Sequence, residues 1–140
     1  MPINDIVPLM ASSLTGVLNV VGQLDRLVDK GTKSLGRAVT RAAALTATDA
    51  KANASGRPGP RAPTGAFRGS ITHVAATSSG TSTVAFVGSN APQARRLEFG
   101  FMGMTDSAGR TFQQPPYPWL APTIPNAAQH LRNEVGAALR

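Results

Sequence analysis

The sequence predicts an α+β fold: a long N-terminal helix and a C-terminal helix packed on a small antiparallel sheet, with a long mobile loop. Three observations predict it. Gln23 to Ala54 keeps one apolar direction at helical period, two β-branched runs flank a Ser-Ser-Gly turn, and residues 123–140 open on a proline and then repeat small apolar residues at helical spacing.

Taken in order, residues 1 to 16 carry apolar side chains without periodicity and read as an arm or a short helix. "VLNVVG" (Val17 to Gly22) is short, β-branched and Gly-bounded, so strand and helix are equally supported. Beyond it Leu24, Val28, Gly31, Leu35, Val39, Ala42 and Leu45 fall within about 60° of one direction on a helical projection. Arg26, Lys30, Lys33, Arg37, Arg41 and Lys51 gather in an arc of about 80° on the other side. "SGRPGPRAPTG" (Ser55 to Gly65) ends this helix, because Gly and three prolines cannot continue it. "FRGSITHVAATS" and "TSTVAFVGS" read as the two strands of a hairpin spanning 66–88, with Val84 and Phe86 on one face and Thr83, Ala85 and Val87 on the other. Asn90 and Pro92 suit the start of a short helix. Phe101 to Gln114 mixes Phe and Met with Gly, Ser, Thr and Asp, which reads as a long mobile loop or an extended hairpin. Pro125 opens the last helix, with Ala128, Leu131, Val135 and Ala138 along one side.

A length of 140 residues suits a single domain. Lys and Arg outnumber Asp and Glu by 14 to 7, which favours an acidic partner such as nucleic acid or an acidic protein face. There is no Cys, so disulfides, thiolate zinc sites and cysteine nucleophiles are excluded. No apolar run reaches the roughly 20 residues that span a bilayer, and no membrane partner is expected. His73 and His130 have no metal-site spacing around them, and Asp25 with Asp29 sits near the start of the predicted helix, where the dipole favours acids. The Ser/Gly pieces lack the Gly-Lys-Ser/Thr of a phosphate loop. Neither an enzyme nor a cofactor is expected.

Two surfaces remain as candidates. The basic arc of Arg26, Lys30, Lys33, Arg37 and Arg41 could meet phosphates or an acidic protein, although few aromatics are present to stack on bases. Phe101, Met102, Met104 and Phe112 lie in a stretch too Gly-rich for a core element and suit adaptable protein contacts. Behind them "PPYPWLAPTI" holds the only Tyr and Trp; its prolines fix the backbone and aim Tyr117, Trp119 and Leu120 at one place. Trp119 is expected to be a buried anchor and Tyr117 to lie nearer the surface.

Read in order, "DAKANA", "PTGAFRGSI", the hairpin, "RRLEFGF", a variable loop and "PPYPWLAPTI" resemble the tail-component family of long-tailed bacteriophages, which are neck or tail-completion proteins. Ala50 and Lys51 stand on the Ala-Lys that ends the family's long helix. Thr64, Gly65, Phe67, Arg68, Ser70 and Ile71 stand on its strand-entry motif. Leu97, Glu98, Phe99 and Gly100 match the Glu-Phe-Gly block, and Pro115, Pro116, Pro118, Trp119, Leu120 and Pro122 the proline-aromatic block. The chain departs from the pattern in a longer Arg-bearing loop before Thr64, in "QARR" for the usual Tyr-Ala, and in Trp119 for Phe.

The resemblance covers roughly residues 17 to 140. It implies a structural virion protein, a homo-oligomeric ring, sixfold to match a tail tube, at the head–tail joint. The implied partners are head-completion, tail-terminator or tail-tube proteins. Glu98 joins the candidate interface residues; contact with DNA is compatible with this role and not required by it. The alternative is a small basic nucleic-acid-binding protein using the Arg26 to Arg41 arc.

Overall fold

The computed structural model describes the backbone of residues 3–140 and the side chains of residues 19–140; the first two residues of the expected arm, and all its side chains, lie outside the described residues. The architecture is mixed α+β, with a long N-terminal helix, a C-terminal helix and two small antiparallel sheets. The chain divides into two compact units, residues 1–34 and 35–140.

Helix α1 runs over Ile3–Asn53. The segment read as an arm or a short helix is thus helical from Ile3, as part of one long helix, and "VLNVVG" takes the helical of its two readings. This start removes the dipole argument for Asp25 and Asp29, which stand many turns from the helix end; Asp29 instead takes an i,i+4 ion pair from Lys33 at 3.0 Å. Within the first unit the side chains of Val20, Val21, Leu24, Leu27 and Val28 are exposed.

In the second unit the buried side of α1 is made of Ala38, Ala42, Ala43, Thr46, Ala47 and Ala50, with Ala54 just beyond the helix end. Small residues let other elements approach the helix closely, and Thr46 closes its own hydroxyl onto the Ala42 carbonyl at 2.9 Å. Leu45, expected on the apolar face, is exposed, because it stands just outside the edge of the buried arc, whose centre lies more than a quarter of a turn away.

The stretch expected to begin the first strand opens with a helical turn, α2 (Ala66–Ser70), which buries Phe67. Strands β1 (Ile71–Ser79) and β2 (Ser82–Ser89) then pair antiparallel, with Ile71 opposite Ser89 and Val74 opposite Phe86. The alternation holds along β2: Thr83, Ala85 and Val87 are half-buried, while Val84 and Phe86 are exposed. A register shift lies between Val74 and Thr77, and within it the Ala76 amide donates to Thr40 Oγ1 on α1 at 2.9 Å. That bond ties the sheet to the helix.

Helix α3 (Ala94–Phe99) starts two residues after Pro92 and has no side-chain cap; Ser89, not Asn90, uses its hydroxyl to accept the Ala91 amide at 3.1 Å. Phe101 to Gln114 is the extended alternative of the two readings. Strands β3 (Phe101–Thr105) and β4 (Thr111–Gln114) form a second hairpin, so the expected long mobile loop is replaced by paired strands. A single 3-10 turn (Ala121–Thr123) leads into α4 (Ile124–Ala138), with Pro125 in its first turn. Helix α4 is fastened to α1 by Arg41 with Glu134 and by His130 with Asp49, each at 2.8 Å. Between them Val39, Ala42, Thr46, Val87, Ala127 and Leu131 line an apolar groove of about 300 Å³.

Candidate assembly surface

The core of the second unit is small. It consists of Ala50 and Ala54 at the end of α1, Phe67 of α2, Ile71 of β1, Ala94 of α3 and Trp119, with Ala91, Leu97 and Leu120 packed on its rim. Trp119 is 3 % exposed and meets Phe67 edge to face, ring centroids 5.3 Å apart. Its indole N–H donates to the Ala94 carbonyl at 3.1 Å, so the one polar atom of the ring is satisfied where water cannot reach. Its carbonyl accepts from the Asn53 side-chain amide at 3.2 Å.

The backbone around Trp119 is held by one carboxylate. Glu98 Oε2 accepts the amides of Trp119 and Leu120 at 2.8 and 2.9 Å, and Oε1 accepts the amide of Ala121 at 2.9 Å. Three consecutive N–H groups pointing the same way form an anion-binding concavity at the start of a helical turn, and the anion is supplied from α3 of the same chain. The Tyr117 amide donates to the Leu97 carbonyl at 2.7 Å, adding a fourth bond between the two segments. Glu98, expected at an interface, therefore has its carboxylate engaged inside the chain.

Gly100 completes this junction. It has φ +70, and a Cβ there would lie 2.6 Å from the Gln114 carbonyl oxygen and 2.8 Å from Pro116 N. Only glycine fits both the conformation and the space. The three expected anchors are therefore held differently. Trp119 is in the core, Leu120 is on its rim, and Tyr117 is half-buried beneath the Arg57 guanidinium, 3.6 Å from its ring centroid.

From this rigid base the second hairpin presents apolar side chains outward. Met104 and Phe112 are direct cross-strand partners, hence on one face, and both are exposed. Met102 is 83 % exposed, and Phe99 before the hairpin is exposed as well. Phe101 is half-buried, with Arg96 5.5 Å from its ring centroid. A groove of about 360 Å³ opens at the hairpin root between Phe99, Phe101, Met102, Gln114 and Pro115. The first hairpin carries a similar outer face of Val74, Val84 and Phe86.

Among the described residues each sheet has two strands, so each leaves both edges open. A two-stranded hairpin is marginal by itself in water, and exposed apolar cross-strand pairs on an open-edged ribbon are a candidate contact surface.

The basic set is partly engaged within the chain. Arg41 is bonded to Glu134, and Lys33 to Asp29. Arg26 and Lys30 belong to the first unit and Arg37 to the second, all three exposed.

Sequence reading missed two features. The Glu98 cradle has no sequence signature, because its partners are backbone amides more than twenty positions away. The His130–Asp49 pair joins residues 81 apart. The turn of the second hairpin did carry a signal in "TDSAGRT": Asp106 Oδ1 accepts the amides of Ala108 and Arg110, its Oδ2 accepts Arg110 Nε, and Gly109 takes φ +79. The Arg110 amide is the main cause that holds the Asp106 carboxyl below its ordinary 3.8. Among the described residues no cluster of three or more His, Asp or Glu could hold a metal ion, and no helix is long and apolar enough to cross a membrane. Comparison with models of known protein families, with curated proteins and with solved structures gives no match.

Proposed function

We propose that this chain is a structural subunit of a bacteriophage neck or tail end, assembling as a ring of identical copies that joins or completes the tail at the head–tail interface. The observation that carries the reading is the Glu98–Trp119 junction. Four sequence blocks that resemble the tail-component family meet in one small core: Ala50, Phe67 with Ile71, Leu97 with Glu98, and Trp119 with Leu120. Blocks far apart in the chain that close on one anchor describe a scaffold, and what the scaffold displays is two open-edged hairpins with apolar outer faces. Strand edges and apolar faces of this kind suit head-to-tail contacts, which close into rings when the rotation permits. The mechanism is shape and charge matching without turnover, in contact with adjoining head-completion, tail-terminator or tail-tube proteins.

The test is deletion of the gene in its phage, together with imaging of labelled virions. Unjoined heads and tails, with the protein restored at the joint on complementation, support the reading. Normally tailed particles that lack the protein overturn it. Two of the five cations of the nucleic-acid alternative, Arg41 and Lys33, carry largely exposed ion pairs within the chain, which weigh only slightly against it.

A further inference from the structure

We infer that the end of α1 and the loop after it bind the phosphodiester backbone of duplex nucleic acid, without reading its sequence, through Lys51, Arg57, Arg61 and Arg68. The inference rests on this surface alone and not on the neck reading. Charge is spread unevenly along the chain. The second unit holds eleven of the 14 Lys and Arg and four of the 7 Asp and Glu; the first holds three of each, so the whole net charge of +7 lies in the second. Its four carboxylates are all engaged inside the chain: Asp49 with His130, Glu98 with three amides, Asp106 with Arg110 and Glu134 with Arg41. From Ala50 to Leu97 the sequence has six cations and no acid.

Four of these cations gather where α1 ends, and all four are exposed. Arg68 Nη1 donates to Ser55 Oγ at 3.2 Å, and that hydroxyl donates to the Lys51 carbonyl at 2.9 Å, which holds Arg68 of α2 against the last turn of α1. Arg57 lies over the ring of Tyr117 and donates to the Gly59 carbonyl at 3.1 Å. Between Arg57 and Arg61 the loop is seated by Pro60, which is fully buried, and by Gly59, which has no room for a Cβ against the Asn53 carbonyl. The cations thus stand on fixed backbone, which lowers the ordering cost of binding. None of the four has a carboxylate partner among the described residues. The negative end of α1 offsets only about half a charge of the four.

The composition of the patch separates nucleic acid from an acidic protein. Residues 51–66 contain no Val, Leu, Ile, Met or aromatic side chain, so the surface lacks the large anchors that carry protein interfaces. A duplex needs none, since it presents one charge per roughly 1.7 Å of its axis. Arg57, Arg61 and Arg68 supply planar forks that pair with phosphate oxygens bidentately. Single strands are held on free aromatic faces, whereas the aromatic ring at this patch, Tyr117, is half-buried under Arg57.

The test is fluorescence anisotropy of a labelled duplex DNA of random sequence, titrated with the full chain across a salt series. Four phosphate contacts give a slope of log affinity on log salt of about −3.6, or about a hundredfold loss between 50 and 200 mM. Arg61→Gln, at an exposed loop position, should flatten the slope by about one, and Lys51→Gln with Arg61→Gln and Arg68→Gln by about three, with far-UV dichroism unchanged. Arg26→Gln with Lys30→Gln, in the first unit, should leave the slope as it is. Undetectable binding by the parent chain overturns the inference, and so does a slope that Arg61→Gln and the triple change leave unmoved. Poly-glutamate bound as tightly as the duplex assigns the surface to an acidic protein and overturns it too. A chain that binds DNA through these residues yet never enters virions sinks the neck reading and leaves this one standing.

Discussion

Glu98 holds the backbone of Trp119 from below while the indole of Trp119 reaches back to the carbonyl of Ala94 on the same helix as Glu98. The two residues thus bind each other's segments reciprocally.

Removing the carboxylate leaves three neighbouring amides without their acceptor. Glu98→Ala is expected to destabilise the chain by about 2–3 kcal/mol, since the bonds are charge-assisted but solvent can partly replace them at this half-buried site. Glu98→Gln keeps one carbonyl oxygen and should cost about half as much. Urea unfolding measures both, and a Glu98→Ala protein as stable as the parent would contradict the role assigned to the carboxylate.

Trp119→Ala should cost about 3–5 kcal/mol through the cavity it leaves in a core of few large side chains. Trp119→Phe retains most of the contact with Phe67. It removes the indole bond to the Ala94 carbonyl, which keeps its helical bond within α3, with an expected cost of about 1 kcal/mol. Trp119 is the only tryptophan, so native fluorescence reports its surroundings directly. A red, water-like emission maximum in the folded protein would show that the ring is not buried.

What was legible in the sequence follows from where the physics is local. The helical period of α1, the alternation of Thr83 to Val87 and the proline start of α4 are all written within a few residues, and they recur in the structure. The second hairpin was left open because a register shift between Phe101 and Met104 breaks the alternation that would have marked a strand. Phe67 lies in a helical turn because the strand begins only at Ile71, a boundary that β-propensity does not resolve. The role of Glu98 was illegible for a different reason. Its partners are main-chain amides, which every sequence supplies equally, so only the fold could select them.

Gly100 joins α3 to the second hairpin with φ +70 and no room for a side chain. Gly100→Ala combines an unfavourable backbone conformation with a clash against main-chain atoms that cannot swing away, and a loss of about 2–3 kcal/mol is expected. Gly36→Ala in α1, where a Cβ meets nothing within 4 Å, is the control and should be neutral or stabilising. Equal thermal stability of the two variants would remove the steric argument.

The turn of the second hairpin depends on the ionised form of Asp106. Its folded pKa is depressed, chiefly by the Arg110 amide. Its contribution is therefore complete above the unfolded value, about 3.9, and is lost as the pH falls through the lower folded value. The amides of Ala108 and Arg110 should keep their shifts from neutral pH down to about pH 4 and move only below it. Asp106→Asn should abolish that transition while preserving an oxygen acceptor. Movement of those amides centred above pH 4 would mean that the bonds do not stabilise the carboxylate.

Met104 and Phe112 face each other across the second hairpin and are exposed, so their apolar surface contributes little to the fold of a single chain. Replacing Phe112 or Met104 by Asp should change unfolding free energy by no more than about 0.5 kcal/mol, the usual range for surface sites. If the pair is a docking surface, the same substitutions place a charge in a contact that must exclude water, and assembly should fail although the protein folds. Sedimentation of the purified chain and its incorporation into particles measure assembly; denaturant unfolding and far-UV dichroism measure the fold. Full assembly by the Phe112→Asp protein would show that this face is not a contact, and would leave the outer face of Val74, Val84 and Phe86 as the surface through which copies or partners meet.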